Sequence, residues 1–144
     1  MRDARLPELD PATLYLILQL RSDVFVVEQD CVYADLDGRD LEPDAQQLWV
    51  ERDGAVLATL RLLTDPDGTA RIGRVVTAPS ARGERLAAAL MRRAIELAGS
   101  RDIVLAAQSY LEAWYAGFGF APDGAPFVED GIPHVPMRRA AVSG

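Results

Sequence analysis

The stretch RVVTAPSARGERLAAALMRRAIEL, residues 74–97, decides the fold. Ile72, Val75 and Val76 place branched apolar side chains within residues 71–77, which favours a strand. Pro79 has no amide to donate to a ladder, so the strand ends at Ala78-Pro79. A helix follows. Leu86, Leu90, Ala94 and Leu97, with Met91, Ile95 and Ala98 beside them, recur at helical spacing; Glu84, Arg85, Arg92, Arg93 and Glu96 supply the polar face, with Arg92 and Glu96 as an i,i+4 pair. The join from Ser80 to Ala87 sets small residues where backbone amides point out of the helix N-terminus. Unpaired N–H groups and the positive end of the helix dipole favour a phosphate there, and Gly83 and Ala87 keep bulk away from it. Neither GxxxxGK[ST] nor GxGxxG is present, and the chain has no lysine, which excludes a P-loop nucleotidase and leaves an ATP-binding reading weak.

Outward from this stretch, Asp10-Pro11 supplies an N-cap with proline at the first helical position. Leu14, Ile17 and Leu18, broadened by Leu20, carry an apolar face up to Arg21, and the helix is expected to run to about Val27, although Val24, Phe25, Val26 and Val27 would also suit a strand. Residues 1–9, short and interrupted by Pro7, add an edge strand or nothing. Residues 28–45 form an acidic loop with breakers at Asp37-Gly38 and Glu42-Pro43; a loop that long suits the rim of an acceptor site. Residues 47–52 and 55–63 are strand-like runs around the hairpin signal Asp53-Gly54, and Asp65-Pro66-Asp67-Gly68 turns the chain into residues 71–77, giving three consecutive antiparallel strands. After the long helix, Ala98-Gly99-Ser100 stops the pattern and residues 103–107 form a buried strand. A shorter helix over residues 111–116, closed by Gly117-Phe118-Gly119-Phe120, leads through a loop at 122–126 to a last strand at 134–138. The order predicts an α/β fold with a sheet of mixed direction and helices on its faces.

The 144 residues, 49% of them hydrophobic, are the size of one domain with a substantial core. No apolar run approaches membrane-spanning length and residues 1–10 are too polar for a secretory signal, so a cytoplasmic protein is expected. Cys31 and His134 are each the single residue of their type, which excludes an internal disulfide and a cysteine-built zinc site and leaves no HExxH-like metal motif. A net charge of -7 argues against a general nucleic-acid binder. That charge is unevenly spread. Residues 71–101 hold seven Arg and two Glu, a local +5, whereas residues 28–53 hold nine acids and two Arg, a local -7. The first region suits a polyphosphate and the second a cationic ligand, though solvated faces explain both equally well segment by segment.

With these residues in view, the chain resembles the GNAT superfamily of acyl-CoA-dependent N-acetyltransferases. Its pyrophosphate loop reads [QR]xxGx[GA] after a strand and a proline; here Arg82-Gly83-Glu84-Arg85-Leu86-Ala87 matches at Arg82 and Ala87 and carries Arg85 in place of the usual glycine. VFVVEQ at 24–29, DLDGRDLE at 35–42 and EDGIPH at 129–134 look like the ElaA-like subfamily, which commonly has a basic residue at that loop position. The resemblance extends over nearly the whole chain and implies one N-acetyltransferase domain over residues 1–144, with a mostly antiparallel sheet splayed beside its central strand to make a cofactor cleft. It implies acetyl-CoA as acyl donor, held by the backbone of Val75, Val76 and Thr77 and by Arg82, Gly83, Glu84, Arg85, Leu86, Ala87 and Ala88. Gln108 stands where relatives often have an Asn that bonds the cofactor. Tyr115 lies in AWYAGFGF, similar to the family's late FYxxxGF pattern with Trp114 for the Phe, where the Tyr protonates the departing thiolate.

Acetyl transfer to an amine also needs the amine deprotonated and the thioester oxygen stabilised. Glu28, at the junction of helix and acidic loop, is one base candidate, although a solvated carboxylate is the plainer reading. His134 is the other, since imidazole titrates near neutrality, but it stands between Pro133 and Pro136 where packing alone would explain it. A water chain serves in some enzymes of this type. Cys31 has no base paired with it by any motif and reads as an incidental thiol, not an acylated nucleophile. The leading expectation is direct transfer from acetyl-CoA to a cationic small-molecule or peptide amine; the alternative is a non-catalytic acyl-CoA sensor or scaffold. Exposed sheet edges make a homodimer plausible.

Overall fold

Asp10 opens the first helix, α1 (Pro11–Arg21): its carboxylate accepts the Thr13 amide at 3.3 Å, and Pro11 occupies a position where no amide is needed. The computed structural model describes residues 1–141. Beyond Arg21 the chain stays helical over Ser22–Glu28 but widens to i→i+5 bonding, seen in Gln29 N–H to Val24 O at 3.0 Å and Cys31 N–H to Val26 O at 3.1 Å. The expected extent to about Val27 therefore holds. The change of winding buries Val24 while Phe25 and Gln29 come to line a cavity.

Eight strands follow: β1 (Arg2–Arg5), β2 (Gln46–Arg52), β3 (Ala55–Thr64), β4 (Ala70–Thr77), β5 (Ile103–Gln108), β6 (Ala121–Pro122), β7 (Phe127–Glu129) and β8 (Ile132–Arg139). They form one mixed sheet in the order β1-β2-β3-β4-β5-β8-β6, with β7 also paired to β8. The N-terminal segment is an edge strand on β2. Asp53 and Gly54 both take positive φ, 53° and 77°, the conformation that a two-residue hairpin requires. The same device recurs at Asp130 (φ 51°) and Gly131 (φ 77°), which folds β7 back on β8. The last strand consequently starts at Ile132, ahead of the expected His134, and is joined by a hairpin partner, β7, that the expected order of elements lacks.

The two helices on the other face are α2 (Leu86–Ala98) and α3 (Glu112–Ala116). Strand alternation assigns the faces: Leu48, Leu60, Leu62, Ile72, Leu105 and Met137 pack with Leu90, Met91, Ala94 and Ala98 of α2, while Trp49 and Val76 turn to Ile17, Leu20 and Val24. Each such buried side chain contributes roughly 1.5–3 kcal/mol. The expected Arg92–Glu96 pair does not form. Arg93 takes Glu96 at 3.3 Å and Asp3 at 3.0 Å, while Arg92 lies over the Phe118 ring. Among the described residues no helix is long and apolar enough to cross a membrane.

The sheet opens at its middle. β4 and β5 run parallel but pair only at Ala70–Ile103 and Arg71–Val104, and farther along they separate. On its other edge β4 carries a bulge, where Arg61 faces Gly73 and Thr59 faces Val76, so that Arg74 and Val75 together oppose Leu60. Arg74 sits at φ 55°, a conformation that costs an arginine about 1–2 kcal/mol.

Candidate active site

The separation of β4 from β5 leaves a cavity of about 480 Å³. Its walls come from Ile72 to Val75 on β4, Leu105, Ala106 and Gln108 on β5, the end of the first helix, and the hairpin of β7 and β8. Tyr115 and His134, far apart in sequence, both line it. Tyr115 is 6% exposed; burial pushes its phenol well above the ordinary range, so the group stays protonated at neutral pH. His134 Nδ1 lies 2.7 Å from the Ile132 carbonyl. A carbonyl only accepts, so Nδ1 carries a proton, and in the neutral ring the lone pair is then on Nε2. The imidazole is stacked on Phe127, with ring centroids 5.5 Å apart and planes 16° from parallel. Gln108 faces Gln29 across the cavity, amide to amide at 3.4 Å.

Glu28, the other candidate base, is not among the cavity's lining residues. It is joined to Arg82 in a bidentate pair with both N–H···O distances at 2.8 Å, and these hydrogen bonds hold its carboxyl below the usual range. Two residues expected to act separately thus neutralise each other at the cleft's edge.

At the loop expected to hold a pyrophosphate lies a second cavity, about 520 Å³, bordered by Gly83, Arg85, Ala87, Ala88, Arg92, Trp114, Gly117 and Phe118. No side chain caps α2, so the amides of Leu86, Ala87 and Ala88 lack an intrahelical acceptor. Gly83 adopts φ 91° and Arg85 φ 62°. Arginine therefore takes a left-handed backbone that a glycine there would adopt freely. Space beside Gly83 is open, with nothing within 4 Å of a Cβ built on it. Glu84 is turned aside by Arg52 at 2.9 and 3.0 Å. Of the arginines that give this region its positive charge, Arg71, Arg74, Arg82 and Arg93 are spent on carboxylates. Among the described residues Arg85 and Arg92 make no ion pair, and both face this cavity.

The acidic loop is not a free anionic rim. Arg21, 0% exposed at the end of α1, donates to Asp35 at 3.0 Å and Asp40 at 2.9 Å. Arg61 donates to Asp37 at 2.6 and 2.8 Å, and Arg74 reaches Asp35 at 2.7 Å. These bonds hold Asp37 far below the usual carboxyl range, the Arg61 hydrogen bonds being the main cause. For Asp40 burial acts upward, but the hydrogen bonds from Arg21 and the charges nearby prevail and the net shift is downward. The network also explains the strained Arg74: its guanidinium is held by the loop and lies over the Tyr33 ring.

A family model for the GNAT acetyltransferase domain matches residues 22–141. The chain belongs to the GNAT acetyltransferase family. A UPF0039 protein of Mycobacterium tuberculosis is 46% identical over 92% of the chain and 87% of its own length. Protein ElaA of Escherichia coli is 37% identical over 98% of the chain and 96% of its own, and its crystal structure superposes with a TM-score of 0.90 over 96% of this chain and 97% of that one. The crystal structure of an acyl-CoA N-acyltransferase from Pseudomonas aeruginosa, 43% identical, gives a TM-score of 0.91 over 96% and 98%. This GNAT protein is therefore an acyltransferase with the splayed mixed sheet of its relatives. Sequence reasoning missed three parts of its site: the Arg74 bulge, the hairpin that presents His134, and the buried Arg21 network. For the hairpin alone a signal existed, the Asp130-Gly131 dipeptide.

Proposed function

We propose that this acyltransferase moves the acetyl group of acetyl-CoA directly to a primary amine. The observation that carries the reading is the presence of a protonated Tyr115 and an imidazole with a lone pair on one cavity, beside a strand edge released from its neighbour. Val75, Val76 and Thr77 would offer backbone groups to the pantetheine arm, with Gln108 opposite. The amides of Gly83, Leu86, Ala87 and Ala88 would hold the pyrophosphate at the positive end of α2, with Arg85 adding charge. Arg82 and Glu84 fix the flanks of that loop through Glu28 and Arg52.

The transfer then balances as follows. The neutral amine attacks the thioester carbon, a C–N bond forms and the C–S bond breaks. The proton lost by the nitrogen passes to His134 Nε2, directly or through water, and Tyr115 gives its proton to the departing sulfur. Burial raises the phenol, and it raises a thiolate in the same cavity in the same direction. We assign the base role to His134 and not to Glu28, whose carboxylate is committed to Arg82. The test is acetyl-CoA-dependent release of free thiol with a panel of amines. An acetyltransferase releases thiol with at least one of them, whereas a module that only binds acyl-CoA releases none above the rate in solvent.

A further inference from the structure

The charges on the cavity of Tyr115 and His134 do not balance. Arg74 is answered by Asp35 and Asp37. Glu129 and Asp130, at the turn between β7 and β8, line the same cavity, and among the described residues neither has an ion-pair partner. Tyr115, 6% exposed, lines the same cavity and makes no hydrogen bond among the described residues, so its hydroxyl has no protein partner there.

A carboxylate beside an ammonium favours its charged form. Glu129 and Asp130 thus oppose deprotonation of any nitrogen they touch, which is the reverse of what the reacting amine needs. They suit a second nitrogen that keeps its charge. The hairpin register gives the spacing. Phe127 is opposite His134 and Glu129 is opposite Ile132, so all four share one face and Glu129 is the diagonal neighbour of His134. Such diagonal positions are roughly 7–8 Å apart, a gap that a few methylenes span. The hairpin is also fixed where it stands: Cys31 Sγ donates to the Asp130 carbonyl at 3.3 Å, and Phe127 is stacked on His134.

We infer that the acceptor is a small α,ω-diamine or polyamine, one nitrogen reacting beside His134 while a second stays protonated against Glu129 and Asp130; this rests on the acetyl-transfer reading above. The reacting nitrogen gains the acetyl carbon, the C–S bond breaks, and its proton passes to His134 Nε2; the distal ammonium is unchanged.

The experiment compares thiol release from acetyl-CoA with putrescine and with n-butylamine, for the unaltered chain and for Glu129→Gln combined with Asp130→Asn. The kcat/KM for putrescine should exceed that for butylamine by about tenfold at low salt, well above the statistical advantage of a second nitrogen, with the difference lying in KM and shrinking as ionic strength rises. The double substitution should bring the ratio near one. A ratio near one in the unaltered chain, or a ratio that survives the double substitution, overturns the dication while acetyl transfer stands. Release of no thiol with either amine, in protein that binds acetyl-CoA, overturns this inference, and release with no amine of the wider panel overturns the acetyl-transfer reading as well.

Discussion

In the proposed transfer Tyr115 and His134 carry the chemistry, and their roles separate by mutation. Tyr115→Phe keeps the ring and its edge contacts with Trp114 and Phe120 while removing the one acidic proton. We expect kcat to fall about 10²-fold or more with acetyl-CoA affinity little changed, read from steady-state rates and calorimetric titration. His134→Gln should lower kcat by a similar factor, and raising the pH toward the ordinary amine range, about 10, should restore part of the rate because the acceptor then deprotonates itself. Unchanged rates in either variant would remove that residue from the mechanism. Both were legible in the sequence for different reasons, Tyr115 through its resemblance to a family pattern and His134 as the single imidazole. Glu28 was not legible as a pairing residue, since Arg82 lies 54 positions away and only the fold brings them together.

Among the elements, the N-terminus of α2 and the preceding turn are the proposed anion site. Gly83→Glu places a carboxylate in that positive field and strains a residue at φ 91°, so acetyl-CoA affinity should fall at least about tenfold in calorimetry. Arg85→Gly separates shape from charge. It relieves a left-handed arginine, so stability to denaturant should hold or rise by up to about 1 kcal/mol, while acetyl-CoA binding weakens several-fold through the lost guanidinium. Loss of stability without loss of affinity would show that Arg85 is only structural. The strand, turn and helix of this unit follow from local pattern, because Pro79 and the apolar repeat act within a few residues. The bulge at Arg74 does not, because it depends on contacts with Asp35 and Asp37 more than thirty positions away.

For the whole molecule, the network of Arg21, Arg61 and Arg74 with Asp35, Asp37 and Asp40 ties the acidic loop to α1 and the sheet. Its acids were plain in the sequence as a local excess of negative charge, but the arginines that neutralise them are spread over three elements, so the run resembled a free rim. Arg21→Met removes one of the two cations on each of Asp35 and Asp40, leaving Arg74 and Arg61 as their partners, and should cost up to about 3 kcal/mol in denaturant unfolding. The pH dependence follows from the lowered carboxyls of Asp37 and Asp40. Groups whose folded titration lies below the unfolded one stabilise fully above the ordinary carboxyl range, about pH 4, and that contribution is lost as pH falls below it. Thermal unfolding midpoints should therefore drop steeply on acidification below about pH 4, and less steeply in Arg61→Met, which lacks the partner that lowers Asp37 most. The central claim for the molecule is direct acetyl transfer to an amine in the cavity of Tyr115 and His134, and the most direct measurement is mass spectrometry after mixing the protein with isotopically labelled acetyl-CoA and an accepted amine. The account predicts label in the amine, unlabelled protein at every time point, and loss of labelled product in Tyr115→Phe. Acetyl label on Cys31, or no labelled amine from protein that binds acetyl-CoA, would contradict it.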